Sequence, residues 1–303
     1  MNKITVITPT FNRAHSLPVA FEGLKHQTFK DFFWLILDDG STDNTPQVVE
    51  EFKKTSPFEI IYRKHHNRHK FLTVLDGIKE VKTPYFIVLD SDDTYPEDAL
   101  EILINEAEKI TNQNDYIGVM GLSADEEGNI VGDQYPGNGF DGSIFEMRYK
   151  YKVRGDKNGI LITNTYLKEI EGKDFSKYEG KGYIPQSVIF NEYDAKGIKT
   201  RFINKIVRYY LKDENDVASV SNTRWSGKNV FGLAEGHLSF LNAYGYKLFS
   251  YPKTLLRNLI GYQTFALKSK KKNSGIIFAI KNPIIKILGI FTFPFSYLFQ
   301  YTK

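Results

Sequence analysis

Five short strand-length segments in the first 120 residues are separated by stretches of helical periodicity. That alternation limits the fold more than any other feature of the chain. Residues 3–8, 32–37, 59–63, 85–89 and 116–120 have strand length, and 32–37 is a continuous apolar run. Between them, 16–27, 45–54, 71–81 and 96–110 read as helices. Pro18 falls in the first turn of one, and Thr45-Pro46 reads as the cap and first residue of the next. Leu100, Leu103, Ile104 and Ala107 recur on one face of the fourth. Strands without in–out alternation, joined by helices, predict an α/β fold with a mostly parallel central sheet and helices on both faces. Ligands in such sheets bind at the carboxyl ends of the strands.

Those ends hold the unusual polar residues. The first strand runs into Thr8-Pro9-Thr10-Phe11-Asn12-Arg13, the second into Asp38-Asp39-Gly40-Ser41-Thr42-Asp43 and the fourth into Asp90-Ser91-Asp92-Asp93. Alternate carboxylates after a buried strand repel one another unless a cation lies between them. An all-oxygen set with open positions suits Mn²⁺ or Mg²⁺ shared with a diphosphate. Asp92 or Asp93 ahead of Pro96 also suits a helix start, which accounts for one carboxylate and not three. Asp38 to Ser41 has ordinary turn chemistry, and Asp43 or Thr45 can cap the next helix. Two adjacent acids at a buried strand end still need partners, and one of them could accept the imide N–H of uracil.

The chain has 303 residues, enough for one large domain and a smaller appendage. It has no cysteine, which excludes disulfides, thiolate metal sites and cysteine nucleophiles. The N-terminus reads directly as a first strand and lacks the apolar run of a secretory signal, so a non-exported protein is expected. Residues 125–142 are rich in Gly, Asp and Asn and read as loops, and 155–206 as mixed helix and strand with a helix near 187–193. From residue 236 to 303 there are ten Lys or Arg and no Asp or Glu, so a net +4 for the whole chain leaves −6 on the preceding residues. A basic, aromatic-rich end suits an anionic surface. Residues 275–301 are mostly Ile, Phe and Leu, interrupted by Lys281, Asn282, Pro283, Lys286 and Pro294. Two prolines and two lysines argue for a helix lying in a membrane interface rather than crossing it. A pair of helices docked by their apolar faces is the alternative. Lys268, Lys270, Lys271 and Lys272 precede the apolar stretch and favour a membrane surface. No nucleic-acid-binding module accompanies the basic residues, so nucleic acid is not expected as a partner.

Taken in order, Thr8 to Arg13, then Gln27-Thr28-Phe29, then Leu37 to Thr45, then Leu89-Asp90-Ser91-Asp92-Asp93, the chain resembles family 2 of the glycosyltransferases, with the GT-A fold. The likeness is strong over residues 1 to 120 and weaker beyond. It implies a nucleotide-sugar-binding half at 1–120, an acceptor-binding half at 121–235 and a membrane-associating helical region at 236–303. It further implies that Phe11 stacks on uracil and that Asp39 reads its N3–H. By the same resemblance Asp90 would hold ribose or a metal-bound water, beside Ser91 in the donor site, and Asp92 would ligate the metal. Thr8, Pro9 and Arg13 would line the nucleotide pocket. Lys70 would touch donor phosphate or sugar, although the run His65 to Lys70 also reads as a solvated basic loop.

Residues 155–157 and 178–186 resemble a bacterial branch that builds capsule and O-antigen chains. They imply Asp156, Lys157 and Gln186 as acceptor contacts. Inverting transfer needs a base for the acceptor hydroxyl, and many of the branch have Pro-Glu where this chain has Pro185-Gln186. Glu179 then becomes the candidate base, with a plain surface acid as its other reading. The function implied is inverting transfer from a UDP-sugar to a lipid-linked or oligosaccharide acceptor at the cytoplasmic face of the membrane. A non-catalytic nucleotide-sugar-binding subunit of an assembly complex is the alternative. A sugar nucleotidyltransferase would want a Gly-rich basic loop after the first strand, and residues 8–13 have none.

Overall fold

Strand β1 (Ile4–Thr10) is buried along its whole length, as a strand covered on both faces must be. The computed structural model describes residues 2–211, 227, 229–270 and 272–299. The chain forms two compact units, Met1–Asp174 with Gly197–Asp213, and Phe175–Lys196 with Glu214–Lys303.

The first unit is built on one sheet. Its further strands are β2 (Phe32–Asp38), β3 (Ile60–Lys64), β4 (Tyr85–Val88), β5 (Tyr116–Ala124), β6 (Gly139–Gly142), β7 (Lys157–Ile162) and β8 (Lys199–Tyr209). Their order is β3-β2-β1-β4-β7-β5-β8-β6. The pairs β3-β2, β2-β1, β1-β4 and β5-β8 are parallel. The contacts of β7 with β4 and β5, and of β6 with β8, are antiparallel. Helices α1 (Leu17–Lys25), α2 (Thr45–Thr55), α3 (His69–Glu80), α4 (Ala99–Glu108) and α5 (Thr163–Ile170) cover the sheet.

Ile4, Val6, Trp34, Ile36 and Ile87 face one core with Leu17, Phe21, Val49, Phe52 and the predicted stripe Leu100, Leu103, Ile104 and Ala107. On the opposite side Phe86 meets Tyr166 of α5 edge to face at 5.2 Å. Gly77 of α3 lies so close to Leu37 that a Cβ there would approach its side chain to 2.4 Å. The predicted elements up to residue 120 are all present, with ends shifted by a few residues. The expectation of loops over 125–142 needs one correction: residues 139–142 form β6, an edge strand whose Asp141 takes both Nε and Nη2 of Arg201 at 2.9 Å.

The second unit is helical in its described part. It contains α6 (Ser187–Ala195), α7 (Val230–Tyr244), α8 (Pro252–Lys268), α9 (Asn273–Phe278) and α10 (Pro283–Phe299). Tyr244 donates to the buried Asp194 at 2.8 Å, tying α7 to α6. Gly232 lets α7 approach the backbone at Tyr183, where a Cβ would lie 1.8 Å from the carbonyl oxygen. Among the described residues, no helix is long and apolar enough to cross a membrane.

Candidate active site

Three loops meet at the carboxyl ends of β1, β2 and β4. The loop after β1 turns at Asn12, whose φ of 54° is unusual outside glycine. Its side chain accounts for the turn: Asn12 Oδ1 accepts from the amide and hydroxyl of Thr42, at 2.7 and 3.3 Å, and from the amide of Asp43 at 3.3 Å. Its own amide donates to Ser41 Oγ at 2.9 Å. Asp43 returns the clamp, accepting from the Ala14 amide at 3.1 Å and from the amide and hydroxyl of Thr45 at 3.0 and 2.6 Å. Burial acts to raise the Asp43 pKa, but these hydrogen bonds outweigh it and hold the carboxyl below its ordinary range. Phe11 projects from this rigid loop with 43% of its surface exposed. Arg13 donates its amide to Thr45 Oγ1 at 3.2 Å. Pro9 is buried in β1, and the hydroxyl of Thr8 accepts from Trp34 Nε1 at 2.8 Å inside the core.

The two acids after β2 have different surroundings. Asp38 accepts from the Ser41 amide at 2.7 Å and from the Tyr62 hydroxyl, so one oxygen is used within the loop and the other by β3. Asp39 points the other way: its Oδ1 accepts from the Arg68 amide at 2.7 Å and Thr73 Oγ1 at 2.9 Å. Gly40 makes this possible. Its φ of 88° is strained for any residue with a side chain, and a Cβ here would also crowd the Asn67 amide at 3.0 Å.

After β4, one carboxylate oxygen each from Asp90, Asp92 and Asp93 lies within 4.8 Å of the others. Lys70, at the start of α3, sits 2.7 Å from Asp90 Oδ1. Burial disfavours charge on Asp90, but Lys70, helped by Arg208 and Arg13, outweighs it and lowers the pKa. Burial and then the charge of Asp90 push Asp92 up. Burial pushes Asp93 up to about 8; Arg208 opposes this, and Asp90 and Asp92 add to it. Asp92 is half-buried and has no ion-pair partner among the described residues. The loop itself is pinned by the Thr94–Tyr209 bridge to the end of β8, at 2.8 and 3.2 Å.

Arg208, which belongs to none of the sequence motifs, organises the far side of this loop. It is 3% exposed and places Nη1 3.1 Å from Asp93, Nη2 2.6 Å from Asp156 and Nε 3.1 Å from Ser123 Oγ. Burial opposes its charge, and the two carboxylates more than compensate, raising its pKa. Its signal in the sequence is a lone arginine in the apolar run Ile206-Val207-Arg208-Tyr209-Tyr210. Asp156 thus reaches the acidic cluster through Arg208. Lys157 turns away and donates to the carbonyls of Asp133 at 2.7 Å and Val131 at 3.4 Å. Ser91 is buried in the β4 loop. Glu179 and Gln186 belong to the second unit. Glu179 is exposed after a short turn at Ser176–Tyr178, and Gln186 precedes α6. Near Glu179 in sequence, Tyr178 and Lys177 both donate to Glu235 of α7, at 3.3 and 3.0 Å.

The site sets an exposed aromatic ring, Phe11, and a buried carboxylate, Asp39, on adjoining strand-end loops, with the ammonium of Lys70 against the acidic loop. Hard carboxylate oxygens grouped this closely, two of them with pKa values raised by burial and mutual repulsion, fit a divalent cation such as Mn²⁺ or Mg²⁺.

Glycosyltransferase GlyA of Streptococcus pneumoniae is 25% identical over 262 residues, 82% of this chain but only 36% of GlyA. The GalNAc(5)-diNAcBac-PP-undecaprenol beta-1,3-glucosyltransferase of Campylobacter jejuni is 28% identical over 240 residues, 78% of this chain and 72% of that protein. The structure of Staphylococcus aureus TarS 1-349 in complex with UDP-GlcNAc aligns with a TM-score of 0.54 at 17% identity, covering 99% of this chain and 93% of TarS 1-349. That likeness establishes the GT-A type of α/β fold. The family model described as Glycosyl transferase family 2 matches residues 5–165, more than half of the chain. With that match and the strand-end site in one molecule, the chain belongs to glycosyltransferase family 2.

Proposed function

We propose that this glycosyltransferase moves a hexosyl or N-acetylhexosaminyl group from a UDP-sugar to a hydroxyl of a lipid-linked or glycan acceptor, with inversion, in the synthesis of a surface polysaccharide. The observation that carries the reading is the joining of Asp39 and Lys70 by one short segment. Asp39 is held by the Arg68 amide and Thr73, and Lys70 reaches Asp90. A single helix start thus sets the spacing between the carboxylate proposed to read the base and the ammonium proposed to bind phosphate.

In this reading Phe11 stacks on uracil while Asp39 accepts its N3–H. Arg13 and Lys70 attract the diphosphate. The acceptor oxygen attacks the anomeric carbon as the bond from that carbon to the UDP oxygen breaks; UDP leaves with the electron pair. The hydroxyl proton passes to a carboxylate, with Glu179 the proposed base. Asp156 and Lys157, with Gln186, are proposed to contact the acceptor. Asp92, with Asp90 beside it, would hold Mn²⁺ or Mg²⁺, which when bound offsets the charge on the departing diphosphate. The name of the Campylobacter jejuni relative, which carries an undecaprenol-linked acceptor, supports a lipid-linked acceptor. UDP-GlcNAc in the TarS complex supports a UDP donor. The basic C-terminal region supports peripheral attachment at the cytoplasmic face of an anionic membrane.

Gln186, in place of an acid, motivates the second reading, a nucleotide-sugar-binding subunit without transferase activity. The purified chain should hydrolyse or transfer from one member of a UDP-sugar panel, and should lose this in Asp92→Ala. Binding of UDP-sugar with no turnover, with or without a membrane acceptor fraction, would favour the subunit instead.

A further inference from the structure

Helix α10 is turned inside out relative to a helix of a water-soluble domain. Its inner stripe is Ile285, Gly289, Thr292 and Ser296, spaced at helical intervals. This stripe is held by a buried polar hub on α8: Gln263 donates from Nε2 to the Gly289 carbonyl at 2.6 Å. Its Oε1 accepts from Thr292 Oγ1 at 2.9 Å and Ser296 Oγ at 2.8 Å. Gln263 and Ser296 are both fully buried. The outer stripe, Ile284, Ile287, Phe291, Phe295 and Leu298, is large, apolar and exposed, with Phe291 at 71% and Leu298 at 68%. A helix that satisfies its polar groups inward and presents its largest apolar groups outward is matched to an apolar surrounding rather than to water.

We propose that this outer stripe is immersed in the acyl region of one leaflet of an anionic membrane, with α10 lying along the surface. The inference rests on the membrane attachment proposed above and specifies its mode, insertion rather than charge attraction alone. Length supports an in-plane helix: 17 residues make about 25 Å, short of the roughly 30 Å hydrocarbon core. Pro294 within the helix removes one backbone hydrogen bond as well. Charge selects the occupant. The ten basic residues after residue 235 share that stretch with no acidic residue. Among them Lys253 and Arg257 on α8, and Lys281 ahead of α10, are exposed. Lys286 rests its ammonium 5.6 Å from the ring centre of the exposed Phe278, as a lysine does when its stem lies along apolar surface and its charge stays at the headgroup level. A second copy of this chain would bring the same positive charges together; anionic lipid neutralises them.

The chain has no cysteine, so a single introduced one takes a label alone. The test uses the full chain carrying Phe291→Cys or Leu298→Cys with an environment-sensitive fluorophore, and Glu50→Cys on the exposed face of α2 as the control. Vesicles are phosphatidylcholine with or without phosphatidylglycerol, some with acyl-chain nitroxide quenchers. Expected are a blue shift and acyl-depth quenching at 291 and 298 and neither at 50, with binding stronger on the anionic vesicles. The double variant F291S/L298S should fold normally and partition at least about tenfold more weakly. Binding without quenching at 291 and 298 would overturn insertion while leaving attachment intact. No binding to either vesicle would overturn both. A stable dimer that F291S/L298S dissociates, with no vesicle binding, would assign the stripe to self-association.

Discussion

Arg208 and Asp93 form a buried ion pair, 3.1 Å between Nη1 and Oδ2, with 3% and 1% of the two residues exposed. The same guanidinium holds Asp156 and Ser123, so one side chain joins the acidic loop after β4 to the start of β7 and to β5. Removing it leaves a buried carboxylate beside two others. Arg208→Ala should therefore destabilise the protein by roughly 3–5 kcal/mol. Arg208→Lys should recover part of this, since an ammonium cannot reach both carboxylates in the planar geometry of a guanidinium. Adding Asp93→Asn to Arg208→Ala should restore stability relative to Arg208→Ala alone. Urea unfolding of these four proteins and of Asp93→Asn alone measures this, and additive losses in the double variant would refute the coupling.

A second prediction concerns the acidic cluster itself. Asp92 lacks an ion-pair partner among the described residues, so Asp92→Asn removes charge without breaking an ion pair. The variant should unfold at or above the wild-type temperature, because repulsion with Asp90 is relieved. Donor turnover should nonetheless fall by orders of magnitude, and Mn²⁺ should no longer raise the melting temperature. Full turnover in excess chelator would remove the metal from the proposal.

What local sequence reveals of this fold follows a physical division. Strands β1, β2, β4 and β5 and the helices between them are readable because each buries an apolar run or a one-sided stripe, such as Leu100 to Ala107; β3 is half-buried, with Ile60 and Tyr62 packed against the core. The acidic loops are readable because clustered charge at a buried strand end has few explanations. Strand β6 is hidden: Gly139-Phe140-Asp141-Gly142 has the composition of a turn, and only pairing with β8 and the Asp141–Arg201 contact make it a strand. The antiparallel course of β7 is equally hidden, because direction in a sheet depends on connections and not on local composition. Arg208 is visible as a charge in an apolar strand, but its carboxylate partners lie 52 to 115 positions away in the chain, beyond any local pattern. The inner face of α10 is concealed because Thr292 and Ser296 look like interruptions until Gln263 is placed between them.

The clamp between the first two loops sets a third expectation. Asp43 ties Ala14 to Thr45, and its pKa is lowered in the folded protein. A carboxyl depressed on folding adds stability that is fully present above its unfolded value, about 3.9, and is lost as pH falls through the lower folded value. Asp43→Asn should thus cost about 1 kcal/mol near neutral pH. The difference between wild type and variant should shrink below pH of about 4. Melting curves across that range decide it; a gap independent of pH would mean that shape, not charge, is what Asp43 provides.

Nucleotide recognition can be separated from folding at Phe11 and Asp39. Phe11 is exposed, so Phe11→Ala should leave stability unchanged while weakening UDP binding by about 1–3 kcal/mol, the usual worth of a base stacked on an aromatic ring. Asp39→Asn keeps a carbonyl oxygen for the Arg68 amide and Thr73 but replaces the other oxygen by an N–H donor. That donor opposes the N3–H of uracil and matches the N3 acceptor of cytosine. The variant should lose affinity for UDP and narrow or invert the preference over CDP. Calorimetric titration of both nucleotides is the measurement, and an unchanged UDP-to-CDP ratio would place the base elsewhere.

The acceptor base is the last prediction. Glu179 is exposed at the end of a short turn, whereas the Glu235 side chain is 12% exposed and accepts from Tyr178 and Lys177. A base must come within hydrogen-bond reach of the hydroxyl it deprotonates. An exposed carboxylate can meet an incoming acceptor more readily than one sunk beneath a phenol and an ammonium. Glu179→Gln should therefore keep UDP affinity while transfer falls by about 10²–10⁴, the range ascribed to general-base catalysis. Glu235→Gln should instead lower stability, because Lys177 loses its charged partner. Single-turnover transfer, UDP titration and melting temperature on wild type and the two variants separate the roles. Transfer abolished in Glu235→Gln at wild-type stability, with Glu179→Gln active, would reassign the base to Glu235. Loss of UDP binding in Glu179→Gln would move Glu179 into the nucleotide site.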